Sequence, residues 1–197
     1  MSAPIPDWVA KLAGSRPIAR PPVAASLIDE RKLGRGDFRL TSPAFAEGDE
    51  LDPSFTACEE FAVAPPLEWS APPPGSQELV LVVEDLDAPG DQPVLHWLVW
   101  GLPPQKGKLL EGENPPRVGK NGQGNSEWLL PDPPLGEEHR YLFQLFALDL
   151  PLTLMPGAGY GDIAPHLEGH ITAAATLSAR FEGHEVEEWD AEDWDED

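Results

Sequence analysis

Arg140–Leu150 reads RYLFQLFALDL, and in an extended chain Tyr141, Phe143, Leu145 and Ala147 of this stretch share one face. That spacing predicts a strand. Leu79–Val83 (LVLVV) is an unbroken apolar run rich in β-branched residues, which predicts a strand buried on both faces. Val94–Leu102 (VLHWLVWGL) is a third, ended by Pro103-Pro104. Toward the C-terminus, Ile171, Ala173, Ala175, Leu177, Ala179 and Phe181 alternate with Thr172, Ala174, Thr176, Ser178 and Arg180, so a final strand is expected, although its alanines leave the first turn open to helix. Residues 155–170 are expected to hold the one body helix. Upstream, Phe38-Arg39-Leu40 alternates and Pro65–Trp69 opens another short segment. Residues 104–138, mostly Gly, Pro, Asn and charge, are expected to be one long loop, a kind of segment that tends to be functional.

Composition sets the outer limits. Of 197 residues, 41% are apolar, enough for a core, while 18 glycines and 24 prolines argue against a helical bundle. Lys and Arg number 13 against 35 Asp and Glu, a formal charge of −22 that excludes nucleic acid and anionic membrane surfaces as natural partners. No apolar run approaches the roughly 20 residues of a membrane span, so the protein is expected not to be membrane-embedded. No basic flank precedes an apolar stretch at the start, so the cytoplasm is the expected location. One cysteine, Cys58, allows neither an intrachain disulfide nor a Cys-rich metal site.

Three parts are expected: an arm at 1–36, a body at 37–183 and a tail at 184–197. In the arm, Pro6 and Asp7 start a short helix that Gly14 stops, with Trp8, Val9 and Leu12 on one face. The Arg- and Pro-rich stretch that follows reads either as a docked linker or as a partner-binding arm, one that could complete a homodimer. The tail, HEVEEWDAEDWDED, has nine acids and no Lys or Arg. It reads as a disordered solubilising segment or as a motif in which Trp189 and Trp194 anchor a basic protein partner.

Chemistry concentrates at strand ends. LVLVV runs into Glu84-Asp85-Leu86-Asp87-Ala88-Pro89, His96 sits inside its own strand, and Gly136-Glu137-Glu138-His139 leads into Tyr141. Asp85 and Asp87 are two apart, so an extended segment would point them the same way. One carboxylate and two imidazoles converge if these strands are neighbours. An Asp then orients one ring, and its other nitrogen faces a small anion such as a phosphate monoester. Three alternatives stay open at this point: a hydrolase that activates Ser126 or Ser178, a metal site adding His166 or His170, which would share a helix face, and a protein-interaction module working through arm and tail.

From about Phe38 to Phe181 the chain resembles the phosphatidylethanolamine-binding protein family, in its bacterial Raf kinase inhibitor protein-like branch. FRLTSPAFAEGDEL (38–51), APPLEW (64–69), LVLVVEDLDAP (79–89), HWLVWGLP (96–103), PDPPLGEEHRYLFQLFALD (131–149) and LEGHITAAATLSARF (167–181) carry the likeness. The chain departs from the family pattern at Leu86 and Leu130, where Pro and Gly are usual, and at Val94-Leu95, where an aromatic is common. The resemblance implies a mostly β fold, a β-sandwich with a large central antiparallel sheet and a few peripheral helices. It implies a shallow anion pocket of Asp85, His96 and His139, with Asp87, Pro89, Gly136 and Tyr141 at the rim and Arg140 in a structural role. It implies a non-catalytic binding protein for phosphate, a phospholipid head group or a phosphorylated protein, an inhibitor of a partner kinase or other enzyme, with no cofactor.

Overall fold

A computed structural model describes residues 7–12, 16–18, 22, 24–90 and 94–184. Its frame is a five-stranded sheet ordered β2-β8-β7-β4-β5. The strands are β2 (Asp49–Glu50), β4 (Glu78–Asp85), β5 (Val94–Leu102), β7 (Glu138–Leu148) and β8 (Ile171–Glu182). All pairs are antiparallel except β2 with β8. A three-stranded antiparallel sheet of β1 (Leu40–Thr41), β3 (Leu67–Trp69) and β6 (Gly107–Leu109) covers one face of it. The fold is mostly β, as the sequence implied. The stretch 104–138, expected to be loop throughout, contains β6, a strand too short and too punctuated by prolines to show a period.

Two cores follow from the alternation. On the near face, Leu79, Leu81 and Val83 of β4, Tyr141, Phe143, Leu145 and Ala147 of β7, and the alternate β8 residues Ala173 to Phe181 meet Leu40, Leu67, Trp69 and Leu109 of the small sheet. On the far face, Val80, Val82, Leu98, Trp100, Leu142 and Phe146 pack against α2 (Tyr160–Leu167) and the arm. Every residue of β4 is buried, so its run of branched side chains feeds both cores at once. The first turn of β8, open to helix on composition, is strand because eleven residues of β8 register against β7 and satisfy its backbone there.

The arm is part of the far core. Its helix α1 (Asp7–Leu12) puts Trp8 and Val9 into the sheet's far face, followed by Ile18, Ala24, Ala25 and Ile28. Leu12 is outside what is described of the side chains, as is the tail beyond His184. α2 stops at Leu167, where Glu168 turns extended and Gly169 takes φ +79°. His166 and His170 therefore do not share a helix face: His170 lies past the helix, its Nδ1 2.8 Å from Asp149 Oδ1.

Candidate functional site

β4, β7 and β5 bring Asp85, His139 and His96 together on the near face. Asp85 pairs with Tyr141 and His139 precedes that residue by two, so the same alternation that buries Tyr141 aims His139 at Asp85. His139 Nδ1 lies 2.7 Å from Asp85 Oδ2. Asp85 Oδ1 accepts the backbone N–H groups of Asp87 (2.8 Å) and Ala88 (3.0 Å). Asp85 is 4% exposed and its carboxylate takes three hydrogen bonds, which is what makes its burial tolerable.

His96 reaches the site through a β-bulge. Val83 pairs with Trp97 but Glu84 pairs with Leu95, so His96 is an extra residue in β5. Plain alternation would send it to the far face with Leu98 and Trp100. The bulge turns it instead edge-on to the Tyr141 ring (centroids 5.0 Å apart) and beside Trp128 (5.9 Å). Its Nδ1 lies 2.6 Å from the Leu129 carbonyl. A carbonyl only accepts, so the proton is assigned to Nδ1, and Nε2, 4.0 Å from Asp85 Oδ2, keeps a free lone pair in the neutral ring.

The two imidazoles are driven apart in basicity. Burial holds the His96 pKa below its ordinary value, against the Leu129 hydrogen bond and the Asp85 charge. The hydrogen bond to Asp85 raises the pKa of His139, against burial and with help from the charges of Asp85, Asp87 and Glu137. His139 is therefore the ring that more readily takes a second proton, which makes its Nε2–H a donor, and His96 is the ring that more readily stays neutral, with Nε2 an acceptor. Tyr141 adds a hydroxyl that is fully buried and has no hydrogen-bond partner within the protein. Burial also raises the Tyr141 pKa, so it stays a donor.

Asp87 does not point with Asp85. The chain bends after Asp85, Leu86 inserts into the far core, and Asp87 swings to the far side. There Arg140 meets it with Nε at 2.8 Å, Nη2 at 2.7 Å and its backbone N–H at 2.9 Å, and Arg16 of the arm adds Nη2 at 2.7 Å. Burial works to raise the Asp87 pKa, but the Arg140 hydrogen bonds outweigh it and the net shift is downward. Pro89 is exposed beyond the turn. Gly136 shapes the loop through a left-handed backbone (φ +73°), and its N–H is committed to the Gly183 carbonyl at 2.9 Å. Of the departures from the family pattern, Leu86 and Leu95 pack on the far core, and Leu130 packs on the near core.

The alternatives fare differently. Ser126 lies by Gly157, and Ser178 hydrogen-bonds Glu47, so neither hydroxyl is at the three-residue cluster. Among the described residues no group of three or more His, Cys, Asp or Glu side chains could hold a metal ion. Sequence reasoning missed Glu137, whose Oε2 lies 3.8 Å from His139 Nε2. Its position two before His139 was a usable signal. It also missed the Leu129 carbonyl, which no side-chain pattern announces. Beside the cluster, Val63, Trp97, Trp128, Leu129, Leu130 and Asp132 help line a cleft of about 470 Å³.

Comparison with known proteins agrees with this architecture. The family model described as phosphatidylethanolamine-binding protein matches residues 41–182. A Mycobacterium tuberculosis protein named as a lipoprotein, LppC, is 38% identical over 147 residues, covering 73% of this chain and 72% of its own length. The crystal structure of CT736 from Chlamydia trachomatis, a homolog of that family, superposes with a TM-score of 0.70 at 34% identity, over 75% of this chain and 98% of that one. YbcL of E. coli shares the fold with a TM-score of 0.67 at 23% identity, over 75% and 99% of the two chains.

Proposed function

Since this chain belongs to the phosphatidylethanolamine-binding protein family, we propose that it works by binding, not turnover, and that a small phosphate-type anion is held between His139 and His96. The single observation that carries this reading is the pair of adjoining rings, His139 held through Nδ1 by Asp85 and His96 held through Nδ1 by the Leu129 carbonyl, with both Nε2 atoms left for a ligand. His139 Nε2–H and the Tyr141 hydroxyl donate to anion oxygens. His96 Nε2 accepts from a protonated oxygen of the anion, or takes up a proton as the anion arrives. Asp85 fixes the tautomer of His139 and balances its charge, so it acts as a positioning residue. Inhibition of a partner kinase or other enzyme by a cytoplasmic protein is the regulatory side of the reading, and the family resemblance supports it.

The test is a titration of the full chain with inorganic phosphate and with phosphoethanolamine, followed by the imidazole resonances of all five histidines. The expected result is a saturable shift of the His96 and His139 signals, with His166 and His170 unmoved. Phosphate and phosphoethanolamine that both leave the two rings unmoved at saturation would refute the reading.

A further inference from the structure

We propose that Glu137 sets the charge of the ligand: its carboxylate stands where an anion's oxygen would stand, so the site prefers singly charged anions, such as phosphodiesters, over dianions. This rests on the anion reading above. The position of Glu137 is built, not incidental. The Gly136 N–H donates to the Gly183 carbonyl (2.9 Å) and the Gly183 N–H donates to the Glu137 carbonyl (3.0 Å), pinning the start of β7 to the end of β8. Gly183 is required for that approach, since a Cβ there would lie 2.2 Å from the Pro133 carbonyl oxygen. Alternation then hangs the Glu137 side chain on the same side as His139, with Oε2 3.8 Å from Nε2. That nitrogen is the one Asp85 leaves for a ligand. The backbone is fixed while the side chain is 64% exposed, so the carboxylate can swing aside.

Among the described residues, no arginine or lysine pairs with it. Arg140 is turned to the far side on Asp87, and Arg180 is paired with Glu138 at 2.8 Å. The groups facing His139 are Asp85 from β4, His96 from β5, Tyr141 on its own strand and Glu137, with the charge of Asp87 acting from behind the turn. With the Asp85 and Glu137 carboxylates at its two ring nitrogens, even a protonated His139 leaves the site net negative before any ligand enters. A singly charged anion replaces the Glu137 carboxylate at Nε2 charge for charge. A dianion adds a second negative charge within a few ångströms of the displaced carboxylate.

The experiment compares wild type, Glu137→Gln and the adjacent control Glu138→Gln, each as the full chain, at a mildly alkaline pH. The ligands are dimethyl phosphate, a monoanion throughout, and inorganic phosphate, then mostly dianion. Affinities are read from the His96 and His139 resonances. Glu137→Gln is expected to tighten inorganic phosphate on the order of tenfold and dimethyl phosphate by clearly less, while Glu138→Gln changes neither ratio. Equal effects of the two substitutions, or an unchanged ratio in Glu137→Gln, overturn the role of Glu137 and leave the anion reading standing. Failure of all three proteins to bind either anion sinks both.

Discussion

Asp85 and Asp87 are two residues apart and serve opposite faces of the large sheet. Asp85 orients His139 on the near face, and Asp87 gathers Arg140 and Arg16 on the far one. The turn between them is closed by Asp85 itself, through the N–H groups of Asp87 and Ala88. Arg140 completes the link by donating Nη1 to the Arg16 carbonyl at 2.6 Å. The arm is thus fastened to the back of the turn whose front presents the ring pair.

Arg140→Ala removes the guanidinium hydrogen bonds from a mostly buried Asp87 and is expected to cost about 2 kcal/mol of stability. Urea denaturation measures this. A loss within error of zero would show that Arg16 and water replace the guanidinium fully.

The pH dependence has a definite sign for each ring. The His139 pKa is raised on folding, so its contribution is fully present below the unfolded value of 6.5 and is lost as pH rises through the folded value. The His96 pKa is lowered, so its contribution is present above 6.5 and is lost as pH falls toward the folded value. Together the two rings favour a stability maximum near neutrality. Denaturation between about pH 5 and about pH 8 should show His139→Asn flattening the alkaline limb and His96→Asn flattening the acid limb. Unchanged limbs in both variants would count against these assignments.

Tyr141→Phe removes a buried hydroxyl that has no partner within the protein. Stability should stay level or rise by up to about 1 kcal/mol, because an unsatisfied group is lost. Affinity for phosphate should fall several-fold in the same protein. A variant that is clearly less stable would mean the hydroxyl already has a partner, such as ordered water.

Trp8→Ala is expected to destabilise the whole protein by about 3–5 kcal/mol, since Trp8 is 6% exposed against the far core. A single cooperative transition at lower denaturant is the expected form. If the arm melted alone, ahead of the sheet, it would be an appendage and not a layer.

Gly183→Ala forces a methyl into the Pro133 and Pro134 carbonyls, at 2.2 and 2.4 Å. The expected cost is about 1–3 kcal/mol, accompanied by movement of the His139 resonance as the loop lifts. A loss of stability with an unmoved His139 signal would uncouple the loop from the site.

Much of this was readable from side-chain period. β4, β7 and β8 declare themselves because buried strands must alternate or run apolar, and α2 falls within 155–170. The meeting of Asp85 and His139 was readable as strand-end chemistry, given neighbouring strands, and His96 was named with them without the feature that turns it there. Three things were not. The bulge at His96 is a property of the β4–β5 register, set by partners far away in sequence. The direction of Asp87 depends on a bend that Leu86 completes by entering the far core. The docking of the arm was one of two readings, on the shared face of Trp8 and Val9, but the sheet face that receives it leaves no local trace in residues 7–28.

One extra backbone unit in β5 decides where His96 points. Deleting a single residue at that irregularity would restore an unbroken ladder and keep every side chain of the site in the sequence. The imidazole would then face α2 and the arm, and its partner ring would stand alone. Chain length within this strand is therefore a determinant of recognition in its own right, and a scan by amino-acid replacement, however complete, would pass over it.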